Sequence, residues 1–212
     1  NGLQKEIVGL LKEVEPSNRS QLQALLDRVD NAIENSYSAI AAKSVKSFQE
    51  LAVVESQAVS SVAQKAFTIP IAPNILPQGI GIEIVENGIM PNNPDGLPLK
   101  QRWTRQKEGL KSNTKTGLGY AIKNNQSLDD MLKIVRGNRN LGFRDGVMAK
   151  SKTGAETIIR TATDTVVNSA RMESYKRNSE AIEGIQANAI LDNRTTLLCR
   201  TRNGWAWHLQ TG

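Results

Sequence analysis

The residues of this chain able to do chemistry are few and widely spaced. One cysteine, Cys199, and one histidine, His208, lie nine positions apart near the C-terminal end. Thiolate and imidazole suit zinc, but a closed site takes four ligands, and the sequence holds no further Cys or His to complete one. The pair therefore predicts a Cys199 filling a small apolar gap on a strand and a His208 on a strand face, with no metal and no cofactor. Asp129-Asp130 offers two carboxylates, yet adjacent helical residues point about 100° apart, and acids stabilise the first turn of a helix. Gly109-Leu110-Lys111-Ser112 and the run from Gly146 to Lys150-Ser151 resemble phosphate loops but lack the Gly directly before Lys that lets backbone N–H groups wrap a phosphate. Asp192 and Arg194, two apart beside a turn, suit a charge-assisted bond that pins a hairpin. A nuclease-like use of Arg194 with His208 lacks a second acid or nucleophile nearby.

The elements that must position these residues read as mostly helical. Leu3, Ile7, Leu10, Leu11 and Val14 make a short amphipathic helix ended by Glu15-Pro16, and Ser17 or Ser20 suits the cap of the next. That next helix carries Leu22, Leu25, Leu26, Val29, Ile33, Tyr37 and further apolar residues every three to four positions, with no Gly or Pro before Pro70. Its length predicts either a hairpin broken near Ser36-Tyr37-Ser38 or a projecting helix, its stripe packed in its own domain or on a partner. From 69 to 99 the chain holds six of its seven prolines, an Ile80–Val85 strand and turn material at Asn92–Gly96. This segment reads as an extended arm between residues 1–68 and a third region, 100–212.

The third region opens with helices over Gln101–Leu110 and Tyr120–Lys123. Another starts at a Ser127 cap, buries Met131, Leu132, Ile134 and Val135, and stops at Gly137. Formal charge is +6 over 212 residues, but residues 1–99 carry 7 basic and 11 acidic side chains, 100–160 carry 14 and 5, and the remainder 6 and 5. The basic excess thus sits in the middle, where Arg136, Arg139, Arg144, Lys150 and Lys152 surround a loop over Gly137–Gly146. Clustered cations suit phosphate neutralisation. Only Trp103, Tyr120 and Phe143 are there to stack on bases, so the DNA contact expected is non-specific. No run is long and apolar enough for a membrane span, the start shows no signal pattern, and a single Cys fits a reducing compartment. An Asn rather than a Met at the first position reads as a processed or partial product.

Ile158, Ile159, Ala162, Val166 and Ala170 then repeat with helical spacing. The period shortens at Ile185, Ala187, Ala189 and Leu191, as in a half-buried strand, and Asp192-Asn193 supplies a turn before a second strand at Thr195–Leu198. Together these residues resemble the phage Mu F-like minor head proteins, also called phage head morphogenesis proteins. That family has a helix opening on Arg-Thr and carrying Asn and Ala-Arg, then Gly-hydrophobic, a strand, Asp-x-Arg-Thr, a Cys and a Gly. This chain reads Arg160-Thr161, Asn168, Ala170-Arg171, Gly184-Ile185, Asp192-Asn193-Arg194-Thr195, Cys199 and Asn203-Gly204. It departs in having Ala162 where an acid follows Arg-Thr, Asn188 where an aromatic precedes the Asp, and no further Cys or His near Cys199.

The resemblance covers roughly residues 100–205. It implies a structural, non-enzymatic minor capsid protein of a tailed bacteriophage, made in the host cytoplasm and held in the virion, in few copies, in the capsid interior or at the portal vertex. It further implies the portal protein as partner, with major capsid or scaffolding protein and packaged double-stranded DNA as others, and a part in head assembly and DNA packaging or ejection. The expected fold is mainly α with a small C-terminal β element. The rival readings are a toxin-like or nuclease domain and a plain non-specific DNA-binding module. Further Cys and His beyond Gly212 would favour the first.

Overall fold

The computed structural model describes residues 2–13, 19–66, 97–180 and 182–209. It is mainly helical, with a two-stranded antiparallel sheet near the C-terminal end. The expected Ile80–Val85 strand, the Asn92–Gly96 turn and the Ser17 cap lie outside the described residues. Two compact units divide the chain. The first takes the described residues of Asn1–Phe48 and Val85–Thr165, the second those of Gln49–Ile84 and Val166–Gly212.

In the first unit, α1 (Gly2–Lys12) buries Ile7, Val8 and Leu11. The next helix, α2 (Arg19–Ala66), buries Leu22, Leu25, Leu26, Val29 and Ile33 within this unit. Removing each such side chain from water contributes about 1.5–3 kcal/mol. The stripe from Leu22 to Tyr37 is thus covered within this unit, whereas Ile40 and Val62, expected on the same stripe, are 40% and 67% exposed. No hairpin breaks α2 at Ser36-Tyr37-Ser38: Tyr37 is buried, and its hydroxyl shares a 2.6 Å hydrogen bond with the buried Ser151 Oγ.

The helices expected over Gln101–Leu110 and Tyr120–Lys123 are one, α3 (Leu99–Lys123). Gly109, Gly117 and Gly119 do not interrupt it, because Leu99, Trp103, Leu110, Leu118 and Ala121 anchor one face along its whole length. A glycine in a helix interior costs about 1 kcal/mol, which that burial outweighs. A Cβ at Gly117 would stand 2.7 Å from Ile134 Cγ2, so this glycine lets α4 (Leu128–Arg136) lie close on α3. Ser127 caps α4 as expected, accepting the Asp130 N–H at 3.2 Å. Met131 and Val135 are buried, whereas Leu132 and Ile134 are only half-buried. After a 3-10 turn over Arg139–Leu141 comes α5 (Val147–Arg177).

Within the second unit, α5 turns a stripe of Val166, Ala170 and Ser174 toward the part of α2 that buries Ala52, Ser56, Ser60 and Ala63. These small side chains allow close approach, and Ser174 Oγ reaches Ser56 Oγ at 3.3 Å. Ile159, expected on the buried stripe of α5, is 44% exposed, because the stripe runs through Ile158 and Ala162 at four-residue spacing.

The sheet pairs β1 (Gly184–Gln186) with β2 (Ala206–His208), Ile185 opposite Trp207. A Cβ at Gly184 would meet the Trp207 carbonyl oxygen at 2.5 Å, so the close pairing needs glycine there. The strands expected from Ala187 to Leu191 and over Thr195–Leu198 do not form. The Ala189 N–H donates to the Asn203 side chain at 2.8 Å instead of to a ladder. Thr196 caps a short helix, α6 (Leu197–Arg202), by accepting the Cys199 N–H. Cys199 thus lies exposed on a helix rather than filling a gap on a strand. His208 does lie on a strand, 3.8 Å from Glu183.

Candidate nucleic-acid interface

The basic middle folds into the first unit, and the structure sorts its cations into bound and free. Lys107 and Lys111, one turn apart on α3, both donate to Glu34 of α2. Those hydrogen bonds, from Lys107 first and Lys111 second, hold the Glu34 carboxyl below its ordinary range, and the Glu34 bond raises the Lys111 ammonium. Lys133 bridges Asp129 at 2.8 Å and Asp130 at 3.1 Å. The Asp130 carboxyl is lowered mainly by the Ser127 hydroxyl and then by Lys133, so this acid pair serves its helix terminus. Lys152 lies 3.6 Å from Glu156, one turn along α5. By contrast Arg136, Arg139, Arg144 and Lys150 are exposed and meet no carboxylate among the described residues. Arg105, Lys115 and Lys123 on α3 are free in the same way.

Three of these free arginines flank or occupy a loop with a closed neck. At Gly146 a Cβ would stand 2.3 Å from the Gly137 nitrogen, and Gly137 has φ +91°, so both ends of the loop require glycine. Between them the Asn138 N–H donates to Asp145 Oδ1 at 2.7 Å, and its side-chain oxygen accepts the Asn140 N–H at 3.0 Å. The Asn138 carbonyl accepts from Leu141 at 3.1 Å and from Phe143 at 2.9 Å. Asp145, the acid nearest these arginines in sequence, is thus engaged in closing the loop.

The aromatic inventory changes as well. Trp103 is 3% exposed, its ring edge-on to Tyr37, and is withdrawn from any base. Tyr120 and Phe143 remain at the surface. Sequence reasoning passed over Leu141, 59% exposed beside Phe143. The glycines nine positions apart, each with Asn or Asp beside it, were the available signal of a closed neck. The two phosphate-loop lookalikes are not loops: Gly109–Ser112 lies within α3, and Gly146 leads into α5, where Ser151 is turned to Tyr37.

The family-like residues lie on α5 and in the C-terminal segment. Arg160 and Asn168 are exposed, and the Thr161 carbonyl accepts from Thr165 Oγ1 at 2.9 Å. Arg171 is paired with Glu55 of α2 beside an open apolar groove of about 440 Å³ lined by Val59, Val62, Tyr175 and Ile182. Gly204, with φ +84°, turns the chain into β2 and donates to the Ala187 carbonyl at 2.8 Å.

At the Asp192 turn the expected guanidinium bond is replaced by backbone and hydroxyl contacts. Asp192 Oδ1 accepts the Arg194 N–H at 2.9 Å and the Thr195 hydroxyl at 3.0 Å. The Asp192 carbonyl accepts from Arg200 Nη2 at 2.9 Å. The Arg194 guanidinium is 3.6 Å from the carboxylate and 88% exposed, too far for a hydrogen bond and open to solvent. First the Arg194 N–H and then the Thr195 hydroxyl hold the Asp192 carboxyl below its ordinary range. Among the described residues no three of His, Cys, Asp and Glu come together as a metal site, and no helix is long and apolar enough to cross a membrane.

Compared with protein-family models, with curated proteins and with solved structures, the chain matches none.

Proposed function

We propose that this chain is a structural minor head protein of a tailed bacteriophage, held at the portal vertex, which acts in head assembly and in packaging or delivering DNA. The observation that carries the DNA part is the neck-closed loop with Arg136, Arg139 and Arg144 exposed and meeting no carboxylate among the described residues. Cations left without a carboxylate on a hydrogen-bonded loop suit phosphates, which are contacted whatever the sequence. The virion part rests on the resemblance running from Arg160-Thr161 to Gly204. Its partners under this reading are the portal protein, major capsid or scaffolding protein, and packaged double-stranded DNA.

Mass spectrometry of purified phage particles tests the proposal. The expected result is the chain present in the particle, in fewer copies than the major capsid protein and lost together with the portal. A chain that binds DNA yet is missing from particles would instead be a plain DNA-binding module.

A further inference from the structure

Within the loop over 137–146, the N–H groups of Asn138, Asn140, Leu141, Gly142, Phe143 and Arg144 all donate to other atoms of the loop, which holds its shape. It turns outward Arg139, Asn140, Leu141, Phe143 and Arg144, with the Asp145 carboxylate that closes its neck also exposed. Phe143 has φ +61°, following Gly142 at the same angle. A side chain in this left-handed region costs about 1 kcal/mol relative to glycine. Asparagine or glycine would make the turn with less strain, yet the position holds a large ring, 49% exposed, directly before Arg144 and four positions after Arg139.

Two exposed apolar side chains fall far short of the roughly 800 Å² per partner that a stable protein interface buries. For a nucleotide they suffice, because one aromatic ring stacks on one base while neighbouring guanidinium groups take the phosphates. A base inside a duplex already has both faces covered; an unpaired base offers one. We infer that the 137–146 loop is a stacking site for unpaired nucleotides in DNA, a single-stranded stretch or a frayed end, with Phe143 as the stacking ring and Arg139 and Arg144 on the flanking phosphates. This inference rests on the reading of the same loop as a DNA contact.

Fluorescence anisotropy of the full chain tests it, with a labelled oligothymidylate and a labelled blunt hairpin duplex of equal phosphate number. The parent binds the single strand more tightly than the duplex. Phe143→Gly melts no lower than the parent, because glycine adopts φ +61° freely, while its affinity for the single strand falls about tenfold and the preference over duplex collapses. Phe143→Trp keeps the preference. A glycine variant that binds the single strand like the parent overturns the inference. If it does so while Arg139→Ala and Arg144→Ala weaken both DNAs, stacking is wrong and the phosphate contact stands. A parent that binds neither DNA overturns both readings.

Discussion

The turn at Asp192 shows how two nearby charged residues can be read as a salt bridge when the backbone has taken the carboxylate first. Asp192 Oδ1 serves the Arg194 N–H and the Thr195 hydroxyl, and the Arg194 guanidinium projects into solvent. Asp192→Ala is therefore expected to free the Arg194 amide and speed its hydrogen exchange by roughly an order of magnitude, whereas Asp192→Asn keeps the acceptor oxygen and Arg194→Ala changes little. Native-state hydrogen exchange checks this; an Arg194→Ala effect as large as that of Asp192→Ala would restore the salt bridge. Because the folded-state carboxyl is lowered, its contribution is present above the ordinary carboxylate pKa of about 3.9 and is lost as pH falls through the depressed value. The turn itself was legible in Asp192-Asn193. Which atom of Arg194 the carboxylate holds was not, because an Asp-initiated turn and a salt bridge use the same pair of residues.

At the scale of elements, legibility followed the length of the pattern. Helix α2 announces itself by many apolar repeats without Gly or Pro, and α4 by Ser127, its two acids and Gly137. What failed was short. The alternation from Ile185 to Leu191 satisfies a strand pattern, but only Gly184–Gln186 pairs as a strand, and Thr196 capping α6 competes with strand formation over Thr195–Leu198. The unbroken course of α2 past Ser36-Tyr37-Ser38 was also hidden, since it goes with a contact to Ser151, 114 positions away. Tyr37→Phe and Ser151→Ala are each expected to lower stability by about 1–2 kcal/mol, by leaving one buried hydroxyl without its partner. In a urea-denaturation double-mutant cycle the pair should cost less than the sum of the two. Strict additivity would mean the hydroxyls do not stabilise each other.

For the whole molecule, net charge alone says little, because the excess is confined to residues 100–160 and part of it is spent on Glu34, Asp129, Asp130 and Glu156. The clustering was readable from composition; the division into engaged and free cations was not, since Glu34 lies more than 70 positions from the lysines it binds. After those pairs are removed, Arg136, Arg139 and Arg144 remain at the glycine-necked loop. If they contact phosphates, each releases counterions on binding. The decisive measurement is the salt dependence of duplex DNA binding by the full chain, compared with a variant carrying Arg136→Ala, Arg139→Ala and Arg144→Ala. The account predicts that log K falls with log salt for the parent and that the variant's slope is shallower by roughly 2 to 3. A variant whose slope and affinity equal the parent's would contradict it.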